Sequence, residues 1–384
     1  MRCSSFDRGD AIVIESSFWY RNGKDSIMRQ LWLLALTIVG SGFSATDHVW
    51  GQGQVPQGVA SSITENPAQD PIKAERAVGG TMGGSGMGGG IGGPGMGVPG
   101  YRATWYPAGS VSNSMADIGF VRQNFSGAFP VYKKDGDTVL MTAAVRNTLF
   151  FTDAILPDSH RPFPNELWNI NLGMMYLHKF ANGWTGGLST TFGSASDKPF
   201  HSINEMNVGF FGFLQVPAKN DRDSWMFSLM YSPIGNLTFP VPGIAYSWKP
   251  SNDLYLNIGI PFSIMWRPFE DLTLNFSYIP ITNINARASY RLTDGLNLYG
   301  GFEWLNEAYF LADRMEQRER FLAFEKRLVS GIRWDIWRYA ALELNAGYAF
   351  DRYYGEGQNQ ISNLRNRVDI DPGAIVGANL LVKW

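Results

Sequence analysis

From about residue 116 to the end of the chain, apolar and polar positions alternate with a period of two, the pattern of strands with two unlike faces. Val139, Met141, Ala143 and Val145 alternate with Leu140, Thr142, Ala144 and Arg146. Trp168, Ile170, Leu172, Met174 and Tyr176 alternate with Asn169, Asn171, Gly173, Met175 and Leu177. Ala181-Asn182-Gly183 then gives a hairpin signal, and Trp184, Gly186, Leu188, Thr190 and Phe192 form the return. Trp225, Phe227, Leu229 and Tyr231 oppose Ser224, Ser228 and Ser232. Further on, Phe324, Leu328, Ile332 and Trp334 share one phase and Glu325, Arg327, Arg333 and Asp335 the other. Ala340, Leu342, Leu344, Ala346, Tyr348 and Phe350 oppose Glu343, Asn345 and Asp351.

The last strand is the most specific. Counting back by twos gives Trp384, Val382, Leu380, Ala378, Val376 and Ala374, all apolar; Lys383, Leu381, Asn379, Gly377, Ile375 and Gly373 lie between them. A final strand with an apolar face in phase with a terminal aromatic resembles the last strand of bacterial outer-membrane β-barrels. That resemblance implies that Trp384, Val382 and Leu380 form an assembly signal for the barrel-insertion machinery, with outer-membrane lipid as the other partner.

The middle of the chain repeats. Tyr246-Ser-Trp-Lys-Pro-Ser-Asn-Asp-Leu-Tyr-Leu-Asn257 matches Ile264-Met-Trp-Arg-Pro-Phe-Glu-Asp-Leu-Thr-Leu-Asn275, and Ser289-Tyr-Arg-Leu-Thr-Asp-Gly-Leu-Asn-Leu298 is a looser copy. Each reads as strand, polar turn, strand, as in a meander whose tight turns line a periplasmic rim. The repeat Trp-basic-Pro-x-x-Asp-Leu-x-Leu, with Trp384, also resembles a barrel family known only as a domain of unknown function. Spacing raises a difficulty. The first two copies start 18 residues apart, too close for crossings of about 9–11 residues each. Either Asp253 to Arg267 is one long strand bulged at Pro261, or the barrel is short on that side. Two longer polar segments, Asn306–Arg320 and Gly355–Asp371, fall on one rim by parity. With Trp384 on the periplasmic rim, that rim faces outside.

Composition narrows the class. Apolar residues make up 45% with a mean hydropathy of −0.14, too polar for a helical membrane protein and suited to alternating strands. Aromatics reach 14%, fitting girdles at two membrane interfaces or an aromatic-rich sugar-binding protein. A net charge of −2 offers nothing to nucleic acid. The single cysteine, Cys3, excludes a disulfide framework.

The N-terminal region reads as export and tether. Arg29 precedes Leu31–Val39, and small residues follow at Gly42 and Ser44, the layout of a signal peptide over residues 1–45. The layout points to Met28 as the start, with an unusually long leading region as the alternative. Residues 46–115, Gly-rich from Gly79 to Gly100, cannot build a core and read as a disordered tether.

Chemistry is sparse. His48 lies in the tether, His160 in a loop and His178 at a strand end. His201-Ser202 with Glu205 is the one local trio of nucleophilic type, and neighbours along a strand point to opposite faces. No His and carboxylate spacing suggests a metal site, and no cofactor motif occurs. The charged run Asp313–Arg320 reads as a short helix or a solvated loop. Glu325, Arg327, Arg333, Asp335, Glu343, Asn345, Asn379 and Lys383 are the lumen-facing candidates. They fit a plugged lumen as well as a polar channel, and barrel width discriminates.

The expectation is an all-β, antiparallel, up-and-down transmembrane barrel of about 12 strands (range 10–14) over residues 116–384. Its function is non-enzymatic, a passive pore for small solutes or a surface structural protein. A rim hydrolase acting on lipid or peptide, and a soluble exported β-protein, are the alternatives.

Overall fold

The computed structural model describes residues 99–112, 114–220, 222–234, 239–279, 283–358 and 364–382. Expectations for the signal region, the start at Met28, tether residues 46–98, His48, Lys383 and Trp384 lie outside the described residues. The strands are β1 (Gly100–Ser110), β2 (Asp117–Lys134), β3 (Asp137–Thr152), β4 (Glu166–Lys179), β5 (Thr185–Ser196), β6 (Met206–Pro217), β7 (Ser224–Tyr231), β8 (Val241–Trp248) and β9 (Leu254–Gly259). There follow β10 (Phe262–Phe269), β11 (Leu272–Ile279), β12 (Asn283–Thr293), β13 (Leu296–Tyr309), β14 (Arg320–Trp337), β15 (Ala340–Gly357), β16 (Arg365–Ile370) and β17 (Gly373–Val382).

Each strand pairs antiparallel with its sequence neighbour up to β15. Strands β16 and β17 both pair with β15, separated only by Asp371-Pro372, and make one stave. β17 then pairs with β1, Gly100 opposite Leu381 and Trp105 opposite Val376. The sheet is therefore a closed all-β antiparallel barrel of 16 staves.

Two sequence expectations, the strand count and the start of the barrel, need correction, and one open alternative is decided. The count is 16 and not about 12, because β7 to β11 are strands of six to eight residues. Asp253 to Arg267 is not one strand; β9 and β10 pair with each other across Ile260-Pro261. The barrel is simply short on that side. It also begins at Gly100 and not at 116. Tyr101, Ala103 and Trp105 alternate with Arg102, Thr104 and Tyr106 there, but the run is short and directly follows the glycine-rich stretch.

One rim carries tight turns. Asp135-Gly136 joins β2 to β3 with both residues at positive φ, as an Asp-Gly hairpin turn requires. The three repeat copies are the β8–β9, β10–β11 and β12–β13 hairpins, all on this rim. They are linked in series: the Arg267 N–H donates to the Asp253 carbonyl and the Arg291 N–H to the Asp271 carbonyl, each at 2.8 Å. The Lys249 N–H likewise donates to the Asp223 carboxylate, at 2.8 Å. The turn aspartate and the basic residue of the repeat thus clasp one hairpin to the next. The opposite rim carries the longer connections, 153–165, 197–205, 232–240, 310–319 and 358–364.

Register sorts the side chains. Outward positions are apolar on nearly every stave, as at Leu172, Leu188, Leu229, Ile244, Leu328 and Val376, which are all exposed. Exposed Trp184, Trp225, Trp248, Trp266 and Trp334 ring the short-turn end. Trp168, Trp304, Phe324 and Tyr353 lie toward the other end, with Phe324 and Tyr353 stacked at 4.7 Å. From Phe324 to Trp334 is about 33 Å along the strand, or roughly 25 Å at the usual barrel tilt of about 40°. One outward ion pair, Lys326–Asp351 at 2.7 Å, sits beside the Phe324 ring, where a lysine stem can carry its charge to an interface.

Candidate functional site: the barrel interior

The interior is layered, and the layers follow the inward phase of each strand. Nearest the long-loop rim it is apolar. Tyr106 and Phe120 stack at 4.0 Å, and Phe150, Phe163, Phe321 and Tyr354 pack around them. Phe163 and Leu156 come from the 153–165 loop, and Phe310 and Leu311 from the 310–319 loop. These loops, with Ile234 of the 232–240 connection, fold into the mouth and bury their apolar residues there. Such a filling excludes water as a domain core does.

Below it lies a buried charge layer. Arg146 pairs with Glu307, whose other oxygen accepts from Tyr309 at 2.7 Å. Tyr106 donates to Glu325 at 2.6 Å and accepts from Arg327 at 2.9 Å. Arg122 and Arg327 each lie 3.6 Å from Glu325, and Arg327 also pairs with Glu303. A further group lies toward the short-turn rim. Glu343 accepts from Arg287 and Asn379, each at 3.1 Å, and lies 3.8 Å from Arg333. Arg333 reaches Asp335 at 3.6 Å.

The lumen-facing candidates thus fall into two places. Glu325 and Arg327 join the middle layer; Arg333, Asp335, Glu343 and Asn379 join the lower one. Asn345 lines the cavity between the layers, beside Tyr299 and Gly301. Sequence reasoning missed Arg122, Glu303, Glu307 and Tyr106. Their signal was the inward phase of β1, β2 and β13, strands whose alternation is masked by inward aromatics.

The mouth is pinched across its width. β5 and β13 stand on opposite sides of the ring, eight staves apart. The Phe310 N–H nevertheless donates to the Ala195 carbonyl at 2.8 Å, and Ser196 and Phe310 form a parallel bridge. The 310–319 loop then runs along the 197–205 loop. The Ala312 N–H reaches Asp197 at 2.8 Å, and Arg314 pairs with Glu205 at 3.3 Å and donates to the Asn204 carbonyl at 2.9 Å. Arg161 holds Asp313 at 2.8 Å from the third loop. The charged run is therefore a latched loop and not a helix. Burial alone would push the Glu205 carboxyl up. The Ser202 groups and the Arg314 guanidinium outweigh that and hold it below the usual carboxylate range.

The trio at 201–205 is tied into the same latch. Ser202 caps a single turn, Ile203–Glu205, and the Glu205 carboxylate accepts from the Ser202 N–H at 2.6 Å. This is a capping box. His160 sits at positive φ in its loop. His178 Nδ1 lies 2.6 Å from Asp137 on the outward face at the short-turn rim. Among the described residues no group of three His, Cys, Asp or Glu side chains is placed to hold a metal ion.

On the other side of the pinch the lumen is different. Ser263 and Met265 of β10, Thr273, Asn275 and Ser277 of β11, and Asn285, Arg287 and Ser289 of β12 share the inward phase. All are only partly buried, whereas inward Thr148, Ser189 and Ala349 of the filled side are 0–1% exposed. An inward side chain with accessible surface faces open space inside the barrel.

No protein-family model and no curated relative matches the chain. The resemblance to a barrel family of unknown function therefore stands on the residues quoted for it alone. Solved structures similar to the chain are outer-membrane proteins at low identity. The OccK7 (OpdD) structure from Pseudomonas aeruginosa is 12% identical, covering 75% of this chain and 98% of its own at a TM-score of 0.34. An outer-membrane channel from Pseudomonas putida F1 is 7% identical over 74% and 96%, at 0.30. The β domain of the Bordetella autotransporter BrkA is 10% identical over 75% and 100%, at 0.29. The fold class rests on the strand pairings.

Proposed function

We propose that the chain is a non-enzymatic outer-membrane β-barrel with a narrow polar passage for small solutes along β10–β12. Closed barrels satisfy every backbone group without water, which is what a bilayer demands of strands. The outward apolar belt, about 25 Å tall between two aromatic zones, has the height of a hydrocarbon core in an outer membrane. The filled half, with its aromatic mouth and buried ion pairs, acts as scaffold.

One observation carries the passage: the inward side chains of β10–β12 are mostly polar and all partly exposed, while inward Thr148, Ser189 and Ala349 across the barrel are sealed. A wet wall of Asn, Ser and Thr suits small hydrophilic solutes. The test has two steps. The protein should fractionate with outer membranes and show heat-modifiable gel mobility, and the purified barrel should conduct ions in planar bilayers. A soluble protein would overturn the membrane reading. A folded, inserted barrel that is silent in bilayers would leave a surface structural protein.

A further inference from the structure

Each repeat copy places an outward aromatic before a basic residue: Trp248-Lys249, Trp266-Arg267 and Tyr290-Arg291. The aromatics belong to the short-turn girdle. The clasp explains the backbone of the basic residues, but not why the side chain is a cation each time. Arg291 is spent locally, paired with Asp271 at 2.9 Å. Lys249 lies over the Tyr255 ring at 5.2 Å. Arg287, deeper on the same wall, is paired with Glu343. Arg267 has no ion-pair or side-chain hydrogen-bond partner among the described residues. It follows inward Ser263 and Met265 in alternation, at a bulge of β10 between Trp266 and Phe269 that lies opposite inward Thr273, and is half-buried.

The wall around it holds no opposing charge. Among the described residues, no inward position of β10, β11 or β12 is an aspartate or glutamate. The lumen-facing carboxylates of β13–β15 toward this rim, Glu303, Asp335 and Glu343, each lie against an arginine: Arg327, Arg333 and Arg287. Asp253, Glu270, Asp271 and Asp294 lie in the turns of the rim and are exposed. There they are screened over a Debye length of about 8 Å at physiological salt. A guanidinium inside a confined passage with low-dielectric walls is screened far less and acts on each ion that passes.

We propose that the β10–β12 passage selects small anions over cations, with Arg267 as the residue that sets the sign. This rests on the pore reading above, and the experiment separates the two. Reversal potential is measured across a planar bilayer in a potassium chloride gradient for the wild type, Arg267→Gln and Arg267→Glu. All three must show heat-modifiable mobility as evidence of folding. The wild type should give a chloride-to-potassium permeability ratio above one. Arg267→Gln should lower that ratio, and Arg267→Glu should take it below one. A conducting wild type that prefers potassium, or a ratio unmoved by either substitution, overturns the anion assignment and leaves the pore intact. A folded barrel that conducts nothing overturns both.

Discussion

The residues that decide this interior are arginines and glutamates with too little water around them to stand alone. Arg146 and Glu307 are each about 6% exposed, so removing one partner strands a buried charge. Arg146→Ala should cost about 3–5 kcal/mol, whereas replacing both by apolar residues of similar volume should cost much less. Urea unfolding of the single and double variants checks this, and equal losses in both would show that the pair is not buried as described. At the mouth, Glu205 gives a pH-dependent contact. Its folded pKa lies below the usual 4.5, so the stability it adds is present above that value and lost as pH falls through the folded pKa. Hydrogen exchange in 310–319 should therefore rise as pH falls through the folded pKa, and Glu205→Gln should remove that pH step. An unchanged step in the variant would assign it to another group. Only part of this residue-level picture was legible in the sequence. Glu325, Arg327 and Glu343 announced themselves because their strands alternate cleanly. Glu307 did not, because both faces of β13 near Tyr309 are buried once the loop folds inward.

At the scale of elements, alternation identified the long strands and mistook the short ones. β14 and β15 each run 18 residues and read plainly from periodicity. β9, with six residues, falls below the length that a crossing ordinarily needs, and its turn to β10 looked like a bulge. β1 was hidden by the glycines before it, although it is the partner that closes β17. The closing seam has a direct test. Val376 points outward near the middle of β17, opposite Trp105 and Ala346. Val376→Arg should destabilise the inserted barrel by about 2–4 kcal/mol, and Ile375→Val, inward and buried, by only about 0.5–1.5 kcal/mol. The reverse order would place the wrong face of β17 against lipid. The rim clasps are exposed, so Asp271→Ala should cost less than about 1 kcal/mol, a difference seen as a small shift in the urea midpoint. A loss of several kcal/mol would make the repeat a structural keystone instead.

For the whole molecule, barrel width was expected to discriminate a plug from a channel, and it does not. Sixteen staves enclose enough space for a channel, yet the pinch between β5 and β13 closes half of it with aromatic side chains and buried ion pairs. No periodicity in the chain records a contact between two strands eight staves apart, which is why the division of the lumen escaped the sequence. The outward face was legible because lipid imposes one rule on every stave; the inward face obeys no single rule, being sealed at some positions and open at others. Single cysteines at Asn275, Ser277, Thr148 and Ser189, in a background with Cys3 replaced by serine, test that division most directly. A membrane-impermeant thiol reagent should label Asn275→Cys and Ser277→Cys in the inserted barrel and reduce its conductance, while Thr148→Cys and Ser189→Cys stay unlabelled. Uniform labelling, or protection at all four positions, would contradict a barrel with one sealed side and one open passage.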